Sequence, residues 1–245
     1  MPSGAGPPVD LFPSTHRTWI EEHLTTIESV PDTAAASAAH RELCAFIMAR
    51  YHAPLCAYVR AAGLRDLGEP ADLVASFFAR TLDSPTMMRR WAVTGITLRR
   101  WLMNAISLHC RGLRRDRSRD ASRLRSGQAT APLSAPGETA ERAFDRAWAL
   151  AIANEAHELA RAACETRERA ADYDAFRLHV VDGLEHAAIA ARLGITRSQS
   201  VNAVRRVSEL MRDGIRELLR VEGVRAGDLD EAVAELIALS TGDAE

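Results

Sequence analysis

The stretch GLEHAAIAARLGITRSQSVNAVRRVSELMRDGIRELL, residues 183–219, decides the fold. It reads as a helix, a tight turn and a longer helix. In the first helix Leu184, Ala188, Ile189, Ala191 and Leu193 give an apolar face. Gly194 is placed to supply the positive φ that a short interhelical turn needs. Thr196, with Gln199 three residues on, has the spacing of a capping box. Val201, Val204, Ser208, Met211, Ile215 and Leu218 then fall at helical spacing, which predicts a buried side. Ser198, Asn202, Arg205, Arg206 and Glu209 fall on the other side, with Arg197 at the helix start. This pattern predicts a helix-turn-helix whose polar face is free for a DNA major groove, where Arg pairs with guanine and Asn or Gln with adenine. A plain helical hairpin with a solvated face is the alternative reading.

Composition extends the helical expectation to the whole chain. Of 245 residues 47% are apolar but only 5% aromatic, and Ala and Leu dominate, so helices are favoured over sheet. All 31 basic residues are Arg, and the net charge is −2, so bulk charge says little about nucleic acid. Its distribution says more. Residues 89–125 hold eleven Arg against Asp116 and Asp120, a net charge of +9. Residues 221–245 hold seven acids against Arg225, a net charge of −6. Such a split points to a basic nucleic-acid surface and an acidic tail.

Cys44, Cys56, Cys110 and Cys164 are scattered, with no CxxC pair. His40 lies one turn from Cys44 and His109 precedes Cys110, but a zinc site needs three or four ligands. Idle thiols in a reducing compartment are expected, with no metal and no cofactor. The start, MPSGAGPPVDLF, has neither the basic nor the apolar region of a signal peptide, and no apolar run approaches a membrane span. A cytoplasmic protein is expected.

Outward from the deciding stretch, the chain reads as two helical domains joined by an irregular linker. Residues 1–33 form an N-terminal extension, Pro- and Gly-rich through residue 13, then helical from Ser14 to about Val30. A longer helix follows from Ala34 to Tyr51, and Pro54 permits a bend or a fresh start. The helix ADLVASFFARTL carries the stripe Leu73, Val74, Phe77, Phe78 and Leu82, with Asp72, Ala75, Ser76 and Arg80 facing away. A loop is expected up to Gly95, then a helix from Thr97 to Arg117 with Trp101 in the core. The dense Arg run Arg111–Arg125 favours phosphate contact over a solvated face. The first domain is thus 34–118, the linker 119–138, the second domain 139–222 and the acidic extension 223–245. In that extension Leu229, Val233, Leu236 and Ile237 have the spacing of a packed helix face, while Asp228, Asp230, Glu231 and Glu235 admit a fold-back onto the Arg-rich surface.

Two parts of the chain resemble one family. ADLVASFFARTL followed by LRRWLMNAISLHCRGLRRD resembles the promoter-melting domain of bacterial RNA polymerase sigma factors. FRLHVVDGLEHAAIAARLGITRSQSVNAVRRVSELMRDGIRELL resembles the C-terminal domain of the same family. Two domains with nothing but a linker between them resemble the extracytoplasmic-function (ECF) type, in a subgroup with extended termini. The resemblance implies that residues 71–82, through Asp72, Ala75, Ser76 and Arg80, dock on core RNA polymerase, with its β′ and β subunits as partners. Ala75-Ser76 stands where the family commonly has a polar pair. It implies that Met87, Met88 and Trp91 capture an unstacked base of the −10 element, and that Asn104, Arg111, Arg114 and Arg115 guide the opened strand. Arg197, Ser198, Gln199, Asn202, Arg205 and Arg206 would read the −35 element. Promoter DNA is then the ligand, an anti-sigma factor is an admissible partner, and the chain performs no chemistry itself.

A stand-alone helix-turn-helix regulator is the main competitor; it would bind DNA without polymerase, usually as a dimer on a two-fold site. An enzyme is disfavoured, because HExxH, GxSxG, a Gly-rich phosphate loop and clustered metal ligands are all absent from the sequence. A structural adaptor would leave the +9 segment and the helix-turn-helix pattern without a use.

Overall fold

The computed structural model describes residues 16–29, 33–82, 86–124, 139–221 and 224–241. Among them every regular element is helical and there is no strand. The helices are α1 (His16–Ser29), α2 (Ala34–Ala61), α3 (Pro70–Thr81), α4 (Thr86–Ala92), α5 (Leu98–Leu124), α6 (Ala140–Thr166), α7 (Ala170–Val180), α8 (His186–Leu193), α9 (Arg197–Val221) and α10 (Leu229–Thr241). A short 3-10 turn, Leu64–Leu67, joins α2 to α3.

Local chemistry sets most boundaries. Thr33 caps α2 by accepting from the Ala36 amide, and Thr139 caps α6 by accepting from the Arg142 amide. Pro70 opens α3 at a position where its missing N–H costs nothing. Pro54 differs from expectation: α2 runs through it unbroken as one helix of 28 residues. Pro54, Leu55 and Val59 are all buried, so tertiary packing of this turn outweighs the one intrahelical bond that proline removes. The expected loop before Gly95 also contains a helix, α4, because Met88 and Trp91 lie three residues apart and both turn into the core. The helix α5 continues past the expected linker start to Leu124; the rest of the linker, residues 125–138, lies outside the described residues.

The α2 helix packs against α6, and the largest core draws on helices from both ends of the chain. Ile47, Tyr51 and Leu55 of α2 and Phe144, Trp148 and Ile152 of α6 belong to it, as do Ile215, Leu218 and Leu219 at the end of α9. Each such side chain contributes about 1.5–3 kcal/mol by leaving water. Two polar ties join α6 to neighbouring helices. Arg50, buried in α2, gives both Glu155 carboxylate oxygens hydrogen bonds of 2.6 Å, and its guanidinium lies over the Phe46 ring. Arg99 of α5 reaches Asp145 of α6 at 3.4 Å and stacks over Trp148.

The helix α10 packs on α6 and α9 through Leu229, Val233 and Leu236, while Ile237 is exposed. Asp230 accepts from Arg216 of α9 at 2.9 Å. The apolar face of the acidic extension therefore seats on the helices that precede it.

Candidate nucleic-acid interface

Helices α7, α8 and α9 form a small unit with its own core of Ala175, Leu178, Ile189 and Ala203. A second cluster, Ala160, Cys164, Phe176 and Val207, ties it to α6. The turn between α8 and α9 is set by Gly194, at φ +68°, and closed by the Ile195 amide donating to Ala190 C=O at 3.0 Å. The capping box is formed in both directions. The Gln199 amide donates to Thr196 Oγ1 at 3.1 Å, and the Thr196 amide donates to Gln199 Oε1 at 2.7 Å. Beneath the turn His186 hydrogen-bonds the fully buried Ser200 hydroxyl, and its ring stacks on His179 at 4.3 Å.

Ile215 and Leu218 of α9 are buried, and Val204 and Met211 are half-buried against the core, as the spacing predicts, but the first turns of the helix differ. Ser200, Ala203 and Val207 face inward, at 0%, 1% and 1% exposure, whereas Val201 is 43% exposed. Small residues occupy the inner face because α7 and α8 lie close against the start of α9. The outward face then carries Arg197, Ser198, Asn202 and Arg205, all exposed, as the expected reading residues. Gln199 is exposed, but its carbonyl oxygen serves the cap. Arg206 is a correction. Its guanidinium makes a two-pronged ion pair with Asp172 of α7, at 2.9 and 3.0 Å, and is half-buried. The Asp172 hydrogen bond holds the Arg206 proton more firmly than usual. Arg206 is therefore a strut between α7 and α9 rather than a free reading group.

The basic helix α5 divides in the same way. Arg100, Asn104, Leu108, Arg111 and Arg115 are exposed and fall at three- and four-residue steps, so they form one outward stripe. Arg114 leaves the expected set: it donates to both Asp66 oxygens, at 3.0 and 3.2 Å. Arg117 donates to the carbonyls of Asp66 and Leu67. These two arginines clamp the 3-10 turn to α5.

The expected base-capture residues are mostly occupied elsewhere. Met88 and Trp91 are 2% and 5% exposed, and Trp91 Nε1 donates to Ile96 C=O at 3.0 Å. Both belong to the core, so neither presents a surface for a base. The Met87 side chain lies outside the described residues. Val93 and Ile96, at 85% and 40% exposure, are the apolar groups that the turn after α4 does present. The sequence signal for them is only their place beside Gly95, at φ +70°.

On α3, Asp72, Ala75 and Arg80 are exposed as expected. Ser76 is half-buried. Its hydroxyl donates to Leu73 C=O at 2.9 Å, leaving the oxygen to accept from His109 Nε2–H of α5 at 3.1 Å. Burial, and secondarily the charge of Arg80, lowers the His109 pKa, which favours the neutral ring. Ser76 thus joins α3 to α5, and the outer surface of α3 is left with Asp72, Ala75 and Arg80.

The four cysteines are free thiols whose pKa values burial raises, which favours the protonated form. Among the described residues no group of three His, Cys, Asp or Glu is placed to hold a metal, and no helix is long and apolar enough to cross a membrane. Comparison of the chain with protein-family models, curated proteins and solved structures gave no match.

Proposed function

We propose that this chain is a transcription initiation factor of the sigma type, which binds core RNA polymerase and directs it to promoters. The observation that carries the reading is the start of α9. A glycine turn and a reciprocal cap hold Arg197, Ser198, Asn202 and Arg205 outward on a rigid three-helix unit. That is the arrangement a helix-turn-helix uses in the major groove of duplex DNA, and here it would read the −35 element. The outward stripe of α5 supplies the second contact. Arg100, Arg111 and Arg115 neutralise phosphates of an opened strand, Asn104 offers hydrogen bonds, and Leu108 an apolar surface for an unstacked base. Val93 and Ile96 take the base-capture role that buried Met88 and Trp91 cannot. The exposed face of α3 would dock on the β′ subunit.

On this reading the protein acts in the cytoplasm as two DNA-contacting helical domains, and it is not an enzyme, because the polymerase supplies the chemistry. The test is transcription by bacterial core polymerase from a library of randomised promoters, with and without the chain. Chain-dependent transcripts sharing an upstream duplex element support the proposal. A transcript pool unchanged by the chain would reject it.

The core shared by α2, α6 and α9 favours a second reading, a stand-alone DNA-binding regulator whose two halves act as one body. It requires tight, sequence-selective binding of duplex DNA without polymerase.

A further inference from the structure

We infer that Val201 is a specificity-determining residue that contacts the methyl group of a thymine in duplex DNA. The inference rests on the reading of α9 as the helix that enters the major groove. Val201 lies one turn from Arg197 on one side and one turn from Arg205 on the other, and next to Asn202, all of them exposed. It has no part in holding the helix down, since Ser200, Ala203 and Val207 fill the inner face. A β-branched side chain on an exposed helix surface adds nothing to helix stability. A single exposed valine is unremarkable on most surfaces. Here it sits within a set of hydrogen-bond donors on a basic face.

The occupant follows from that charge. Arg192, Arg197, Arg205 and Arg212 are exposed on or beside this face, against Glu209; Asp213 is already paired with Arg216. Such a face suits a polyanion with groups to read, and duplex DNA is that partner. The thymine C5-methyl is the apolar group that the major-groove edge presents, and aliphatic side chains are its natural contact. Arg205 and Asn202 supply the polar part of the recognition, to guanine and adenine. Val201 adds discrimination of thymine from cytosine at a neighbouring pair.

A randomised duplex library is selected with the full-length chain, alone and bound to bacterial core polymerase. Each thymine of the enriched duplex is then replaced by deoxyuridine, which removes only the methyl group. At one position the replacement weakens wild-type binding by about three- to tenfold, the worth of roughly one buried methyl. Val201→Ala binds the two duplexes equally there, with unchanged thermal stability. Arg205→Ala is the control for the underlying reading. If no duplex is enriched, or Arg205→Ala leaves selectivity intact, the placement of α9 on DNA is overturned and this inference with it. If Arg205→Ala relaxes selectivity but no thymine is sensitive, or the sensitivity survives in Val201→Ala, the role of Val201 alone is overturned.

Discussion

Replacing Arg206 by Ala separates the structure from the sequence pattern, because Arg205 and Arg206 are neighbours with different jobs. Arg206 spans α9 to α7 with two charge-assisted bonds to Asp172, whose side chain is 18% exposed against 41% for Arg206. An exposed pair contributes under about 1 kcal/mol. A buried acceptor stripped of its partner costs about 1–3 kcal/mol. The mostly buried Asp172 places this pair between those limits and nearer the second. Arg206→Ala is therefore expected to cost about 2 kcal/mol. For a chain of this size that lowers Tm by about 4–8 °C. Arg205→Ala, at an exposed position with no such strut, should leave Tm within about 2 °C, because surface changes stay near 0.5 kcal/mol. The assay is thermal unfolding followed by circular dichroism at 222 nm, run on both variants, on Asp172→Ala and on the Arg206→Ala, Asp172→Ala double variant. The double variant should lose less than the two single losses combined, since the pair acts as a unit. An unchanged Tm for Arg206→Ala, with the loss of DNA selectivity expected of Arg205→Ala, would refute the strut and return Arg206 to the reading face.

Three further outcomes are expected. Glu155→Ala, which strips the buried Arg50 of its carboxylate, should destabilise the fold by about 3 kcal/mol in urea unfolding, at the low end for a broken buried pair because Glu155 is itself partly exposed. His109 has a folded pKa below its ordinary value, so the unfolded chain binds the proton more readily; stability should fall as pH drops below about 6.5, and His109→Gln should blunt that fall in Tm measured from pH 7.5 to 5. Changing Arg100, Arg111 and Arg115 together to Gln should make the logarithmic salt dependence of single-strand binding shallower by about 2, near 0.7 per phosphate contact, while Arg114→Gln should leave that slope unchanged because Asp66 already holds the Arg114 guanidinium.

What the sequence made legible was local. The Gly194 turn, the Thr196–Gln199 cap and the packed face of α10 each depend on residues within one or two turns of one another, so spacing alone reports them. Arg114 and Arg206 were not legible as struts, because their partners lie 48 and 34 residues away and no periodicity links them. The start of α9 was misread for another reason, while Ile215 and Leu218 further along are buried as the spacing predicts. Spacing arguments weigh large apolar residues, and the inner face here uses Ser200 and Ala203, whose smallness lets α7 and α8 approach. Val201 was drawn to the wrong side by the same bias. Met88 and Trp91 sat in a segment with too few residues to show a period, and only the packing of α4 places them inside. The outward stripe of α5 was half legible: its arginine density was plain, but which arginines remain free depends on Asp66 and Asp145, far away in sequence.

The central claim is that the chain works on core RNA polymerase, and gel filtration of the full-length protein with bacterial core enzyme lacking its own sigma factor tests it most directly. Co-elution at one-to-one stoichiometry, competed by a known sigma factor and weakened by Ala75→Glu on the exposed face of α3, is the expected result. Separate elution at micromolar concentrations of both, with duplex DNA bound selectively in the absence of polymerase, would contradict the claim and establish the stand-alone regulator.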